Sequence, residues 1–368
     1  MSDKIWVLHA CNRLSIGGVQ AFLMNYYRHI DRDRIQFAFA VQRNEELSYD
    51  KEIIEMGGRI HYLPRMEDGS LSYIKQLAAL LKEHPEYQII HAHMNQRNAI
   101  ALATAKSRKV KIRISHAHNT CSYKTFVQKA RYNLFKHIIA ITGTHFWACS
   151  NAANECLHYP EKKNTWILHN AIDITRFKYD DEVRSCIRTQ YGIDPSKIVV
   201  GHVGNFSSQK NTGFLISLIR ELPDNFMLLL VGEGEEKDSL MKRCINESLN
   251  NRVIFTGVQD SSIMYQAMDI FAFPSKFEGL GMVAIEAMSS GLQVIASSGV
   301  PEEVDISNSI IHLPIGEENI ELWKNAIINT SYTRNEKAPY EIRKAGYDVN
   351  YSVKELMARY EKLVIEGI

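Results

Sequence analysis

Short apolar runs alternate with helix-length amphipathic stretches along this 368-residue chain, and this alternation restricts its fold more than any other feature. The apolar runs are too short for helices, and the longest of them, such as Phe226–Val231, contain no alternating polar residues. They therefore predict strands that are buried on both faces. Buried strands separated by helices form parallel sheets with helices on both sides, so the sequence predicts a doubly wound α/β architecture.

The alternation occurs twice, and a chain of this length exceeds the usual size of a single core. We therefore predict two Rossmann-like domains, at 1–175 and 195–350, with a final helix at 353–365. Asp180-Asp181-Glu182 indicates a loop at the boundary between them. The predicted strands are Ile5–Ala10, Ile35–Val41, Arg59–Leu63, Gln88–Ala92, Lys111–Ser115, Phe146–Cys149, Ile198–Val203, Phe226–Val231, Arg252–Thr256, Ile270–Phe273, Gln293–Ala296 and Ile310–Leu313.

Composition favours a cytoplasmic protein. Hydrophobic residues make up 45% of the chain and charged residues 23%, as in ordinary soluble domains. The first apolar run is too short for a signal peptide, and no run approaches the ~18 residues of a membrane span. The six cysteines form no CxxC pair, which predicts free thiols in a reducing compartment.

Charge is distributed unevenly along the chain. Residues 1–190 contain 27 Lys and Arg against 18 Asp and Glu, whereas residues 191–368 contain 16 against 24. The first half is therefore expected to meet an anionic partner, such as lipid headgroups, a phosphorylated lipid acceptor or nucleic acid; two solvated faces of opposite charge would give the same totals.

The segment 124–136 carries much of this basic charge. Its cations, Lys124, Lys129, Arg131 and Lys136, alternate with Phe126, Val127, Tyr132, Leu134 and Phe135. Such a helix can lie on the inner face of an anionic membrane, although an ordinary helix with one buried face has the same pattern. No nucleic-acid-binding platform is recognisable, so nucleic acid is not an expected partner.

The most informative motif follows the strand at Ile270–Phe273. Gly279 and Gly281 allow a ligand to approach the backbone, and the next residues begin a helix whose first N–H groups point out of the turn. This arrangement predicts a phosphate-binding site. Glu278 and Glu286 flank it, and their carboxylates suit sugar hydroxyls. The alternative is a capped surface helix with two solvated glutamates.

This motif, Glu278 to Glu286 in the setting Glu-Gly-Leu-Gly-Met-Val-Ala-Ile-Glu, resembles the paired-glutamate signature of retaining glycosyltransferase family 4. The resemblance covers essentially the whole chain, and it is greatest to bacterial enzymes of capsular and extracellular polysaccharide assembly. Ser15–Gln20 resembles the first glycine loop of the family, and Val200–Gly204 the strand that opens the donor domain.

The family has the GT-B fold, in which two Rossmann-like domains face a central cleft. The resemblance implies that the first domain binds the acceptor and the second the nucleotide-sugar donor, with the last helix returning to the first domain. It also implies that Glu278 binds hydroxyls of the donor sugar and Glu286 binds the ribose. The other donor-binding positions that it implies are Gly17, Gly18, Val258, Gln259, Gly279, Leu280, Gly281 and Met282.

Lys210 follows a predicted strand in Gly204-Asn205-Phe206-Ser207-Ser208-Gln209-Lys210, where it could neutralise the diphosphate of a leaving group. The resemblance raises this role above that of a solvated lysine. The family usually has an arginine where this chain has Asn205, so one cation is missing. We hypothesise that Arg13 compensates; a weakened or inactive enzyme is the alternative.

Two pairs of histidines end strands of the first domain. His91 and His93 share one face of their strand, as do His116 and His118, and this spacing could imitate a metal site. No carboxylate accompanies either pair, so no metal is expected. By the resemblance, His118 would contact the donor sugar or the acceptor near the anomeric carbon.

Together these features predict a retaining, metal-independent glycosyltransferase that needs no cofactor. It would transfer a hexosyl or N-acetylhexosaminyl unit from a nucleotide diphosphate sugar, UDP-linked, to a hydroxyl of a lipid-linked saccharide in bacterial surface polysaccharide assembly. Two alternatives stay open: a catalytically weakened homologue that acts as a binding module, and a nucleotide-sugar epimerase on the same fold.

Overall fold

The structure is a computed structural model that describes residues 4–12, 18–43, 49–119, 125–159 and 161–367. The predicted site residues Arg13 and Gly17 lie outside these ranges. The chain divides into two compact units. The first contains Met1–Ile172 together with Val349–Ile368, and the second contains Asp173–Asp348.

Each unit contains one parallel sheet. The first sheet has the strand order β3-β2-β1-β4-β5-β6-β7 and the second has the order β10-β9-β8-β11-β12-β13. The strands are β1 Ile5–Cys11, β2 Ile35–Gln42, β3 Arg59–Leu63, β4 Ile89–Ala92, β5 Ile112–Ala117, β6 His145–Ala148, β7 Thr165–Ile167, β8 Ile198–Val203, β9 Phe226–Val231, β10 Val253–Gly257, β11 Ile270–Phe273, β12 Gln293–Ser297 and β13 Ile310–Leu313. Each predicted strand forms, with ends shifted by at most two residues.

Helices connect successive strands and cover the sheets. They are α1 Gly18–His29, α2 Asp50–Glu55, α3 Ser70–Glu83, α4 Asn98–Ser107, α5 Phe126–Thr142, α6 Asn151–Leu157, α7 Ile174–Phe177, α8 Asp181–Gln190, α9 Thr212–Glu221, α10 Lys237–Asn246, α11 Ser261–Ala267, α12 Met282–Ser289, α13 Ile320–Asn329, α14 Ala338–Lys344 and α15 Val349–Glu366. No helix in the described ranges is long and apolar enough to cross a membrane.

The last helix, α15, is part of the first unit. Val353, Leu356 and Tyr360 lie in the same buried cluster as Phe37 of β2. The Val349 amide donates a hydrogen bond to the Ile172 carbonyl oxygen at 2.9 Å, where the chain re-enters the unit. The helix begins four residues earlier than the predicted start at 353.

The loop that Asp180-Asp181-Glu182 indicated is instead the start of α8. The side chain of Asp180 accepts hydrogen bonds from the amides of Glu182 and Val183, at 2.8 and 3.0 Å. Asp181 and Glu182 occupy the first turn, where negative charge is favourable beside the positive end of the helix dipole. An acidic cluster is typical of helix starts as well as of loops, and here it starts a helix.

Within the described residues, the prediction of free thiols is wrong for one cysteine. Cys11, Cys149, Cys186 and Cys244 are free, whereas Cys156 is disulfide-bonded. A disulfide requires two cysteines that are close in the fold, and spacing along the sequence does not reveal such a pair.

Candidate active site

Glycines let two loops of the second unit approach each other at the carboxyl ends of β8 and β9. Gly232 and Gly234 have φ of 138° and 159°. A Cβ on Gly232 would clash with the Gly204 carbonyl oxygen, and one on Gly234 would clash with the backbone of Phe206. The Phe206 amide donates to the Glu233 carbonyl oxygen at 2.8 Å and links the loops. The loop that leads to Lys210 therefore has a fixed backbone.

The turn before α12 leaves backbone donors available to a ligand. Gly281 is the N-cap residue, with φ of 84°, and it provides no side chain to cap the helix. The first N–H groups of a helix have no intrahelical acceptor. They carry the positive end of the helix dipole and favour an anion. The Glu278 amide is held by the Gly299 carbonyl oxygen at 3.0 Å, which fixes the start of the turn.

Lys210 and Glu278 form an ion pair between these loops. The Lys210 Nζ atom donates to Glu278 Oε1 at 2.7 Å, and the two side chains are 20% and 9% exposed. The Lys210 ammonium also lies 5.3 Å from the centre of the Phe273 ring. The structure thus brings together two residues that the sequence predicted for one site, 68 positions apart. The pair holds each side chain at the carboxyl edge of the sheet.

Glu286 lies in α12 and is held by two hydroxyl groups. Its Oε2 atom accepts hydrogen bonds from the Tyr265 hydroxyl at 3.0 Å and the Ser261 hydroxyl at 3.3 Å. Burial raises the pKa of Glu286 to about 7, because the charged form loses its hydration, and these hydrogen bonds oppose the rise. This carboxylate can therefore exchange a proton near neutral pH when a ligand replaces or adds hydrogen-bond donors.

Among the remaining predicted residues of the second unit, Asn205, Val258 and Gln259 are exposed, whereas Leu280 is buried and Met282 is partly buried. Val258 is 65% exposed in the loop after β10, and the neighbouring Gln259 donates to the Thr256 carbonyl oxygen at 3.2 Å. Asn205 is exposed, and a Cβ on Gly234 would lie 2.7 Å from its Oδ1 atom. Val258 and Gln259 therefore provide an open surface, and the Asn205 side chain lies close to Gly234.

His202 is a residue of this region that the sequence analysis missed. It is buried in β8, where its Nδ1 atom lies 3.0 Å from the Ala272 carbonyl oxygen. Burial lowers its pKa to about 4, and the positive charge of Lys210 acts in the same direction. Its position within the apolar strand Ile198–Val203 was the available signal.

The first unit places five buried histidines on one face of three neighbouring strands: His9, His91, His93, His116 and His118. In one series, His118 Nε2 lies 2.9 Å from His93 Nδ1, and His93 Nε2 lies 3.0 Å from His9 Nδ1. In a second series, His91 Nε2 lies 3.1 Å from His116 Nδ1, and the Tyr360 hydroxyl lies 2.7 Å from His91 Nδ1. His9 was not among the histidines predicted from the sequence.

These histidines are uncharged because they are buried. Burial lowers the pKa of His9 and of His118 to about 3. It also lowers the pKa values of the other three histidines well below the ordinary value. In the described residues, the groups of side chains close enough to hold a metal ion contain only these histidines.

The donor set fits a dication poorly. Two nitrogens on one tetrahedral zinc would lie about 3.3 Å apart, given Zn–N bonds of ~2.0–2.1 Å. The linked nitrogens here are 2.9–3.1 Å apart, an ordinary hydrogen-bond separation. No carboxylate belongs to these groups to offset a buried double charge. The absence of a metal stays a prediction.

Each of the two units matches the model of a known protein family. Residues 16–176 match the model of Glycosyltransferase Family 4, and residues 183–346 match that of Glycosyl transferases group 1. The chain has a family 4 glycosyltransferase domain followed by a glycosyltransferase group 1 domain. His118 lies in the family 4 domain, whereas Lys210, Glu278 and Glu286 lie in the group 1 domain.

Two curated relatives align with nearly all of the chain. A putative glycosyltransferase, EpsF, of Bacillus subtilis is 29% identical over 98% of this chain and 97% of its own length. The capsular polysaccharide biosynthesis glycosyltransferase CapH of Staphylococcus aureus is 24% identical over 97% of this chain and 98% of its own length. The similarity to both therefore includes the family 4 and the group 1 domains.

Solved structures with low sequence identity share the fold. Anabaena HepE, in complex with UDP and glucose, superposes with a TM-score of 0.79 at 20% identity, over 98% of this chain and all of that one. Sucrose-phosphate synthase from Thermosynechococcus elongatus superposes with a TM-score of 0.76 at 15% identity, over 99% of this chain and all of that one. The predicted fold class, GT-B with two Rossmann-like parallel-sheet domains, is confirmed.

Proposed function

We propose that this glycosyltransferase transfers a hexosyl or N-acetylhexosaminyl unit, with retention of anomeric configuration and without a metal ion, from a UDP-sugar. The acceptor is a hydroxyl of a lipid-linked saccharide in bacterial surface polysaccharide assembly. The observation that carries the proposal is the Lys210–Glu278 ion pair at 2.7 Å in the group 1 domain, in the same domain as the uncapped N-terminus of α12.

In the proposed site the diphosphate is bound by the backbone amides of Leu280, Gly281 and Met282. The Lys210 ammonium and the helix dipole stabilise the charge that develops on the leaving group. Glu278 accepts hydrogen bonds from hydroxyls of the sugar, and Glu286 accepts them from the ribose. Val258 and Gln259 lie against the base, and Gly17 and Gly18 are the donor-binding positions of the family 4 domain.

The transfer requires one bond to break and one to form. The bond between the anomeric carbon and the diphosphate oxygen breaks, and the electron pair leaves with UDP. The acceptor oxygen forms its bond on the same face of the sugar, and its proton passes to the departing diphosphate. His118 contacts the sugar or the acceptor near the anomeric carbon, and no protein nucleophile is required.

The choice of nucleotide and pathway is supported by related proteins. Anabaena HepE, which shares the fold, has been solved with UDP-glucose. CapH acts in capsular polysaccharide biosynthesis by its name, and it aligns with 97% of this chain. Both observations favour a UDP-sugar donor and a surface polysaccharide product.

Helix α5 supports contact with an anionic membrane on the cytoplasmic side. Val127, Leu134 and Ile141 recur every seven residues and are 74%, 58% and 54% exposed, so they form an apolar stripe on one face of the helix. Lys129 and Arg131 are exposed on the same helix. Residues 101–150 contain nine Lys and Arg and no Asp or Glu, a balance that favours anionic headgroups.

Three side chains that were predicted for this surface face other parts of the first unit, and Lys124 lies outside the described residues. The Lys136 ammonium donates to the carbonyl oxygens of Glu155 and Cys156, at 2.7 and 3.3 Å. Tyr132 is 6% exposed in the core of the first unit, and Phe135 is partly buried against the same core. The proposed membrane-facing surface is therefore the stripe of Val127, Leu134 and Ile141 with Arg131 beside it, whereas Phe126 and Lys129 are exposed farther round the helix.

The experiment that tests the reaction is incubation with a panel of UDP-sugars and an extracted lipid-linked saccharide fraction, followed by NMR of the product. We expect one UDP-sugar to yield a glycoside with the anomeric configuration of the donor, in the presence of EDTA. An inverted product would overturn the retaining mechanism. Loss of transfer in EDTA, restored by a divalent metal, would overturn metal independence, and a free epimerised nucleotide sugar would identify an epimerase.

A further inference from the structure

The rings of His118, His93 and His9 are joined in one hydrogen-bonded series, each ring in the same orientation. The series connects His118, which is proposed to bind the substrate, to His9, which lies two links away. Each link joins Nε2 of one ring to Nδ1 of the next, at 2.9 and 3.0 Å. All three rings are buried. A neutral imidazole has one N–H donor and one lone pair, so each link needs an N–H on one ring and a lone pair on the other.

This requirement leaves two proton arrangements for the whole series. If His118 donates from Nε2, then His93 and His9 must also carry their protons on Nε2. If His9 donates from Nδ1, then His93 and His118 must carry theirs on Nδ1. The three rings therefore share one tautomer, and the tautomer of any one ring is set by the hydrogen bonds of the others.

The two ends of the series are His118 Nδ1 and His9 Nε2. Among the residues that the structure describes, both atoms are buried without a hydrogen-bond partner. The His9 end is enclosed by aromatic rings, with the centre of Phe37 at 4.1 Å and that of Phe39 at 5.6 Å. His118 instead follows the carboxyl end of β5, where ligands bind in α/β sheets. A buried polar atom without a partner at such an edge is suited to a ligand group.

We propose that His93 and His9 are positioning residues that hold His118 in one tautomer and one orientation, so that its Nδ1 atom meets a hydroxyl of the sugar or the acceptor. His93 bonds His118 directly, and His9 acts through His93. The inference rests on the proposed function of this site, since it assigns His118 to the reacting sugar.

The second series supports the assignment of roles within the cluster. The Tyr360 hydroxyl lies 2.7 Å from His91 Nδ1, so the series of His91 and His116 ends at α15. The rings of His116 and His118 stack with centres 4.2 Å apart, which restricts the tilt of His118. The second series thus packs beside His118, while the first series is bonded to it.

The test combines the tautomers of the histidines with the activity of two His9 variants. Protein labelled with 15N-histidine is examined by multiple-bond 1H–15N NMR, which distinguishes Nδ1–H from Nε2–H rings. We expect His9, His93 and His118 to share one tautomer in the wild-type protein. His9→Phe, which keeps a ring beside Phe37, removes the partner of His93 Nε2 and is expected to change the tautomer populations of His93 and His118. His9→Asn supplies an amide that can bond His93 Nε2, and it is expected to move these populations back toward those of the wild type.

The matched activity measurement separates positioning from binding. We expect His9→Phe to lower kcat for sugar transfer about tenfold, because one hydrogen bond that orients His118 is lost. The KM for the UDP-sugar should change little. His9→Asn should recover most of that loss. The control is His158→Phe, which removes a buried histidine bonded to Ser115 and Asn154, outside the series. It should leave the His118 signals unchanged.

Two results would overturn the inference: different tautomers for His118 and His93 in the wild-type protein, or unchanged His118 signals and kcat in His9→Phe. A wild-type protein that shares one tautomer but transfers no sugar would support the ordered series and refute the proposed reaction. The two failures are therefore distinguishable.

Discussion

Glu286 links ligand binding to protonation at the residue scale. Its pKa of about 7 means that it holds a proton at slightly acid pH. Hydroxyls of a ribose would donate to the ionised carboxylate, so the proton must leave when the nucleotide binds. We expect UDP affinity to weaken as the pH falls from 8 to 6, by up to about tenfold per pH unit below the pKa. Isothermal titration calorimetry at both values measures this change.

Glu286→Gln is the control. Its amide does not titrate, whereas any titration of UDP itself is the same for the variant and the wild type. The dependence of UDP affinity on pH that Glu286 causes should vanish in this variant.

The raised pKa of Glu286 also affects the stability of the fold, with the opposite dependence on pH. A carboxyl whose pKa rises on folding stabilises the fold fully below its unfolded pKa, ~4.5, and loses this contribution as the pH rises through 7. Glu286→Gln should therefore stabilise the ligand-free protein at pH 8, by up to about 3 kcal/mol in urea unfolding. If UDP affinity and stability depended on pH in Glu286→Gln as they do in the wild type, the raised pKa of Glu286 and its role in binding the ribose would both be contradicted.

Asn205 tests whether a missing cation limits this enzyme. Its side chain is exposed beside Gly234, so an arginine there can extend without displacing buried groups. A second cation about 4 Å from the diphosphate contributes about 1–4 kcal/mol between fully solvated and partly solvated limits. We expect Asn205→Arg to raise kcat/KM for UDP release at least tenfold, measured beside Asn205→Gln as the neutral control. A variant no faster than wild type would show that another group supplies this charge, as hypothesised for Arg13.

At the scale of a single element, the exposed apolar stripe of helix α5 is expected to bind anionic membranes. Replacing Val127, Leu134 and Ile141 by serine removes the apolar stripe and leaves Lys129 and Arg131 in place. We expect binding to vesicles with anionic headgroups to weaken about tenfold or more, because apolar burial and charge act together in interfacial helices. Vesicle sedimentation measures the change.

Leu71 provides the matched control for α5. It is 74% exposed in α3 of the same unit, and its replacement by serine removes one exposed apolar side chain elsewhere. Leu71→Ser should leave vesicle binding unchanged. If the triple variant also bound vesicles as well as the wild type does, α5 would be an ordinary amphipathic helix, the alternative that the sequence left open.

Elements differed in how far the sequence could predict them. The strands were most predictable where the apolar run is continuous, as in Phe226–Val231, because such a short buried run bounded by polar residues is typical of a strand in a parallel sheet. Helix α8 was not, because its buried face is small and its acidic start is also typical of a loop. The early start of α15 at Val349 follows from its hydrogen bond to Ile172, a contact between distant parts of the chain.

The candidate site was predictable where one motif contained it. Glu278, Gly281 and Glu286 lie within nine residues, so strand and helix geometry could place them. The ion pair from Lys210 to Glu278 required the resemblance to a family, because 68 residues separate the partners. His9 and its bond to His93 depend on the strand order β1-β4-β5, which a single sequence does not reveal.

At the scale of the whole molecule, the chain divides into two units, and each unit has its own hydrophobic core. The second unit buries Phe206, Leu230 and Trp323 in its own cluster. The first unit includes α15, so both ends of the chain contribute to it. The two family models follow the same order along the chain as the two units, at residues 16–176 and 183–346. The acceptor-binding role of the first domain and the donor-binding role of the second stay predictions.

UDP release from a panel of UDP-sugars tests the central claim most directly, with wild type compared with Lys210→Ala and Lys276→Ala. Lys276 is the control, because it is exposed nearby and bonds Ser208 rather than Glu278. The account predicts release from one sugar, lowered about a hundredfold or more in Lys210→Ala and nearly unchanged in Lys276→Ala. Equal release by wild type and Lys210→Ala, or UDP binding without release from any sugar in the presence of acceptor, would contradict it.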